Sequence, residues 1–207
     1  SRVLPQNKVS LKEVKLLNII LLILIFILSL PLNYFCQLLI YFLVVPLIVL
    51  YNFYLKHTPL LGNITVALLL GFIFMFSELA LVNSIKLSIL PFLLAFNLSL
   101  IREIIKDLHD YKGDLKHKSQ TLPIVLGINK TCKLLGAYIV GCMLLFFLPY
   151  YYGFYGNLYL ISLIFCIEIP LIYSVFLILN VQTQATFKQL SFFYKILSVS
   201  GLFVILL

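Results

Sequence analysis

Seven stretches dominated by Leu, Ile, Val, Phe and Tyr divide the 207 residues, at about 14–30, 35–55, 64–81, 84–101, 132–151, 158–180 and 190–207. Each is close to the roughly 17–25 residues that a helix needs to cross the hydrocarbon core of a bilayer. Inside lipid every backbone N–H and C=O must find an internal partner, so runs of this length fold as helices. The expected fold is therefore all-α, a multi-pass transmembrane bundle with seven spans. Composition excludes a soluble domain. Hydrophobic residues make up 63% of the chain and charged residues 11%, against about 25% in soluble domains. Mean hydropathy is +1.13. Pro46 and Pro91 fall inside the second and fourth runs, and a membrane helix tolerates Pro46 with a kink. No soluble domain, repeat or low-complexity tract interrupts the pattern, so residues 1–207 are expected to form one membrane domain.

Charge sets the expected topology. Fourteen of the fifteen Lys and Arg residues fall on one side of such a bundle, and Lys86 alone falls on the other. The loops at 31–34 and 151–157 carry no charge. The positive-inside rule then places the basic face in the cytoplasm and the protein in the cell membrane. This topology accounts for the net charge of +8 without a nucleic-acid partner. The four cysteines are scattered, form no CxxC, and read as small apolar fillers.

The polar stretch from Arg102 to Pro123, REIIKDLHDYKGDLKHKSQTLP, breaks the apolar pattern. It holds four of the seven acidic residues, Glu103, Asp107, Asp110 and Asp114. On a helix these four project within about 60° of one another, with Lys106 and Arg102 pointing away from that ridge. Gly113 is expected to end the helix. Clustered carboxylates repel unless something neutralises them, and a hard divalent cation such as Mg²⁺ does so with help from water and phosphate oxygens. The flanking lysines suit the remaining phosphate charge. No Cys or His cluster points to zinc. The same pattern also suits a solvated, charged loop between two membrane helices, and periodicity does not decide between the two. Thr121, Pro123 and Gly127 predict a short helix after the ridge. His57 and His109 read as interfacial polar residues. Glu168, mid-span in FCIEIP, is a membrane-embedded carboxylate, either functional and paired with Lys195 or a hydrogen-bonded packing residue.

IREIIKDLHDYKGD followed by TLPIVLG resembles the second Asp-rich motif of the UbiA-type intramembrane prenyltransferases, with Asp110 and Asp114 as its DxxxD core. YNFYLKHTPLLGN, residues 51–63, is similar to that family's tyrosine- and lysine-bearing loop. Arg2-Val-Leu-Pro5 resembles the NRPLP segment that follows the family's first Asp-rich motif. The three matches span the chain in the family's order. The wording of the polar stretch is nearest the branch that includes geranylgeranylglycerol-phosphate geranylgeranyltransferase. Ser1 and Val3 depart from the NRPLP pattern, and Lys118 and Gln120 replace the Gly and Lys frequent before TLP.

The resemblance implies a nine-helix fold of which seven helices are present, with the first motif, NDxxDxxxD, and the first two helices preceding Ser1. It implies Mg²⁺ bridging Asp110 and Asp114 to the diphosphate of a prenyl donor, with Asp107 and Glu103 as supporting or alternate ligands. Lys56, Arg2 and Lys106 would grip diphosphate oxygens. Tyr51 or Tyr54 would stabilise an allylic cation through its ring face. The lipophilic acceptor would offer a glycerol hydroxyl of a lipid phosphate, or elsewhere in the family an aromatic ring carbon of a quinone precursor. With one metal-binding wall, residues 1–207 alone are expected not to release diphosphate. Two other classes compete. A cation transporter would place acids near the bilayer midplane, where only Glu168 lies, and a non-catalytic membrane protein would need no metal.

Overall fold

Prolines and asparagines punctuate the apolar runs, and several helices begin or end on them. The structure, a computed structural model, describes residues 10–116 and 119–206, and the side chains of all of these but Leu11 and His57. Arg2, His117 and Lys118 lie outside the described residues. Among the described residues the regular structure is entirely helical.

Helix α1 (Leu11–Ser29) opens on a capping box in which Ser10 and Glu13 satisfy each other's backbone N–H groups. The Asn33 side chain then caps α2 (Tyr34–Leu38) and donates to the carbonyl of Leu79 across the bundle. From α2 the chain passes through a π-helical stretch, Leu39–Val44, into α3 (Val45–Phe53). Pro46 stands in the first turn of α3. Proline has no N–H to give, and the wider π turn before it absorbs the mismatch. The same device recurs where α8 (Asn157–Leu163) reaches α9 (Ile169–Asn180) through the π-helical Ile164–Glu168, with Pro170 in the next turn.

The remaining helices are α4 (Leu61–Val82), α5 (Ile89–Lys116), α6 (Leu122–Leu126), α7 (Ile128–Tyr151) and α10 (Gln184–Leu206). Gly127, at φ 82°, makes the turn between α6 and α7, as the sequence predicts.

Among the described residues, five helical rods are long and apolar enough to cross a membrane: Tyr34–Phe53, Leu61–Val82, Ile128–Tyr151, Asn157–Asn180 and Gln184–Leu206. The other two expected spans correspond to α1 and α5, of 19 and 28 residues, each with charged residues at one end. α5 differs from its expected form in three ways. Residues 83–88 are not helical, because Asn83 ends α4 in the left-handed conformation (φ 55°). The Glu78 carboxylate accepts hydrogen bonds from the backbone N–H groups of Lys86, Leu87 and Ser88 just ahead of α5, which places Pro91 in the first turn, where its missing N–H causes no kink. At the other end Gly113 does not stop the helix, which runs on to Lys116. Apolar run and carboxylate ridge are thus one continuous rod.

α5 is the central element, flanked most extensively by α4 and α10. Leu94, Leu98, Ile101, Ile105 and Leu108 are buried along it. Its buried Asn97 accepts from the Tyr138 hydroxyl of α7 at 2.5 Å, which gives a polar group in an apolar core its partner. Gly71 lets α4 approach α5 closely, since a Cβ there would stand 2.8 Å from the Phe92 ring. Gly71→Val is therefore expected to destabilise the bundle by about 1–3 kcal/mol. Gly141→Val, where a Cβ meets open space, is the control expected to leave thermal unfolding in detergent unchanged. Equal melting temperatures for both variants would refute the close contact.

Candidate functional site

The carboxylate ridge forms one wall of a cavity of about 380 Å³. Glu103, Asp107, Asp110 and Asp114 of α5 line it, as the 3.6-residue period predicts, and Lys106 lines it too, although the same period points it away from the ridge. Lys56, Tyr51, Thr58 and Asn63 line it from the α3–α4 side, and Ser119 and Thr121 from the segment after α5. Tyr54 does not take part and is 70% exposed.

Lys56 reaches the cavity because of two local features. It sits in a single 3₁₀ turn, Leu55–His57, pressed against the start of α4. A Cβ on Gly62 would stand 2.8 Å from the Leu55 carbonyl oxygen, so only glycine permits that approach. Between them Leu60 occupies a γ-turn at φ 65°, with the Leu61 N–H donating to the Pro59 carbonyl at 2.8 Å. Its side chain packs on the apolar core, which holds the strained residue in place.

Each carboxylate has its own surroundings. Glu103 is buried and paired with Arg102 at 2.8 Å and with Lys106 at 3.2 Å. Its charge is compensated within the protein, which leaves it less suited than its neighbours to ligate an ion. Asp110 stands 2.8 Å from the His109 ring. Asp107 accepts a 2.8 Å hydrogen bond from the Asn63 amide. Burial pushes the Asp107 carboxyl up to about 6, against the lowering effect of the Asn63 hydrogen bond, with the Asp114 and Glu103 charges adding to the rise and Lys106 opposing it.

The donor set suits a hard cation that brings part of its own coordination shell. Among the described residues, no three Asp, Glu, His or Cys side chains converge tightly enough to hold a bare metal ion. Mg²⁺ does not require that, since it binds through one or two carboxylates, waters and substrate phosphates. The hydroxyl of Thr121, another lining residue, is buried without a hydrogen-bond partner among the described residues, a polar atom ready for a ligand. Glu168 stands apart from this site. Neither of its oxygens has a hydrogen-bond partner among the described residues, so neither a pairing with Lys195 nor a hydrogen-bonded packing role is seen there; Lys195 lines a cavity that Glu168 does not. Sequence reasoning missed Asn63, as it did Thr58, Ser119 and Thr121 in the lining. For Asn63 the signal was a lone amide in the first turn of a mainly apolar helix.

Comparison with known proteins decides the family. The model of the UbiA prenyltransferase family matches residues 1–197. The chain belongs to this family. It is 32% identical over 199 residues to the digeranylgeranylglyceryl phosphate synthase of Methanosphaera stadtmanae, covering 95% of this chain and 71% of that one. It is 33% identical to the synthase of the same name from Saccharolobus solfataricus, covering 100% of this chain and 72% of the relative. A third, from Methanococcus maripaludis, is 38% identical over 167 residues, 80% of this chain and 58% of the relative. A solved structure described as digeranylgeranylglyceryl phosphate synthase in membranes superposes with a TM-score of 0.79 at 32% identity, over 99% of this chain and 72% of that one. The fold is that of a UbiA membrane prenyltransferase, and the reaction class is prenyl transfer.

The raised Asp107 pKa has a measurable consequence. Its folded value lies above the ordinary 3.8, so the fold favours the protonated form. The stability this brings is complete below the unfolded value and is lost as pH rises through about 6. In metal-free protein Asp107→Asn should raise the melting temperature at pH 8, and the gain should shrink as pH falls from 6 towards 4. A gain independent of pH would contradict the assignment.

Proposed function

We propose that the protein transfers a prenyl group from a prenyl diphosphate to a glycerol hydroxyl of a lipid phosphate, in a Mg²⁺-dependent reaction at the cytoplasmic face of the cell membrane. One observation carries the reading: three aspartates and Lys56, far apart in sequence, line the same cavity at the charged end of an apolar bundle. The relatives' shared name supports the acceptor, since a second geranylgeranyl group on geranylgeranylglyceryl phosphate would yield the compound for which they are named. It favours that acceptor over an aromatic one. The basic face supports the orientation.

In this reading Asp110 and Asp114 are the metal-binding carboxylates. Asn63 aims Asp107 at the same cavity, and its hydrogen bond favours the ionised form. Glu103 holds Lys106 and Arg102 in position rather than ligating directly. Lys56 and Lys106 meet diphosphate oxygens, and Arg2 joins them on the strength of its sequence motif. Tyr51 lines the cavity where its ring can face a developing allylic cation. Bound Mg²⁺ would offset the charge that grows on the departing diphosphate. The apolar helices exclude water, which protects a reactive allylic carbon from hydrolysis. The described carboxylates form one wall of the site. The part of the relatives' length that this chain does not span is the proposed source of a second.

The test is Mg²⁺-dependent diphosphate release by the full-length protein in membranes supplied with a prenyl diphosphate and geranylgeranylglyceryl phosphate. Asp110→Asn is expected to lower turnover at least about 100-fold. Glu168→Gln, outside the cavity, should stay close to wild type at equal protein level. Equal losses in the two variants would overturn the site assignment and favour ion transport through the buried carboxylate. Gly62→Ala is expected to raise the KM for the diphosphate substrate by displacing the Lys56 turn, with membrane insertion unaffected.

A further inference from the structure

A second cavity lies next to the polar one, one helical turn further along α4. Along α4 the polar cavity is lined as far as Val66, and the second begins at Leu70, one helical turn on. Along α5 the lining passes from Glu103 to Arg102 and Ser99. α10 closes the third side around a volume of about 430 Å³. The walls are mainly Leu, Ile, Phe and Val, and two cations stand out among them, Arg102 and Lys195.

Neither cation is fully satisfied. Arg102 pairs with Glu103 through Nη1, but its Nε is buried with no partner among the described residues. Lys195, halfway along α10, is exposed where it lines the cavity and has no carboxylate within salt-bridge distance among the described residues. Cations on the wall of an apolar cavity at membrane depth call for an anion, and a hydrocarbon tail alone leaves them uncompensated. The contrast with the cavity on the other side of α5 is instructive. That space, about 440 Å³ among Leu60, Ile64, Phe96, Leu100 and Leu134, has no charged residue in its lining and suits hydrocarbon alone.

We propose that the Arg102–Lys195 cavity is the acceptor subsite, taking an alkyl lipid that carries a phosphate monoester. The phosphate binds Arg102 and Lys195, and the alkyl chain runs between α4 and α10 past Leu70, Leu98 and Leu202. This rests on the prenyl-transfer reading and adds where the acceptor sits and what selects it. A glycerol unit holds its free hydroxyl only a few bonds from its phosphate. A phosphate on Arg102 therefore leaves that hydroxyl at the boundary with the polar cavity, where the donor's diphosphate lies. Glu103, paired with Arg102 and lining the polar cavity, stands at that boundary. The two cations also exclude uncharged glycerolipids of the bilayer, which offer a hydroxyl but no anion.

The experiment uses the protein in nanodiscs of neutral phosphatidylcholine. The probes are radiolabelled geranylgeranylglyceryl phosphate and the corresponding dephosphorylated alcohol, with dioleoyl phosphatidic acid as competitor. Wild type should bind the phosphate at least about tenfold more tightly than the alcohol, the difference expected from one charge-assisted contact. Lys195→Gln should remove that preference and Lys195→Arg should keep most of it. In turnover, Lys195→Gln should raise the acceptor KM about tenfold and leave the donor KM unchanged. An undiminished preference in Lys195→Gln, a rise in donor KM instead, or displacement by phosphatidic acid as effective as by the acceptor itself would each overturn the proposal. Selective binding without any diphosphate release would overturn the transfer reading and leave the phosphate subsite standing. Turnover indifferent to Lys195→Gln would do the reverse.

Discussion

A charge at the edge of hydrocarbon must be neutralised where it stands, and in this bundle the Arg102–Glu103–Lys106 cluster does so. Glu103 is buried between two cations at the level where α5 changes from an apolar rod into a polar one. Without that pairing the helix could not carry ionised groups so close to the membrane interior. With it, one 28-residue helix packs in the core at its first half and presents the aspartates at its second. The polar cavity and the apolar cavity meet at this cluster because Arg102 and Glu103 are neighbours in sequence that face opposite chambers.

The prolines follow the same logic of local satisfaction. Pro46 and Pro170 each stand just past a π-helical stretch, so the backbone groups that proline cannot serve are absorbed by a wider turn. Pro91 and Pro123 are placed in first turns, where no N–H is needed. A membrane helix has no water to mend a broken ladder, and these placements avoid breaking one; Pro149, inside α7 two residues before its end, is the exception.

The helices and the carboxylate ridge were legible in the sequence because both depend on spacing along one element. Apolar runs of fixed length report spans, and Asp107, Asp110 and Asp114 share a face by periodicity alone. Lys56 became legible only through its motif, since nothing in the spacing brings it to Asp110. What stayed hidden were the relations between elements. Asn63 meets Asp107 across 44 residues of chain, and an amide in a helix's first turn otherwise reads as a cap. Lys195 was matched with Glu168 because both are ionisable and deep, but depth does not tell which side of α10 a residue faces. Gly113 reads as a helix stop, yet its surroundings are open and the rod simply continues.

Gly62 ties the Lys56 turn to α4 so closely that the two behave as one piece, and Asn63 belongs to that piece as well. One side of the polar cavity is therefore a single piece, the aspartates of α5 are a second side, and Ser119 and Thr121 line it from a third. Sliding or tilting α4 against α5, over the contact where Gly71 rests on the Phe92 ring, would widen or narrow the gap between the first two. A substituent on that ring contact would act as a wedge and set the aperture of a site several turns away.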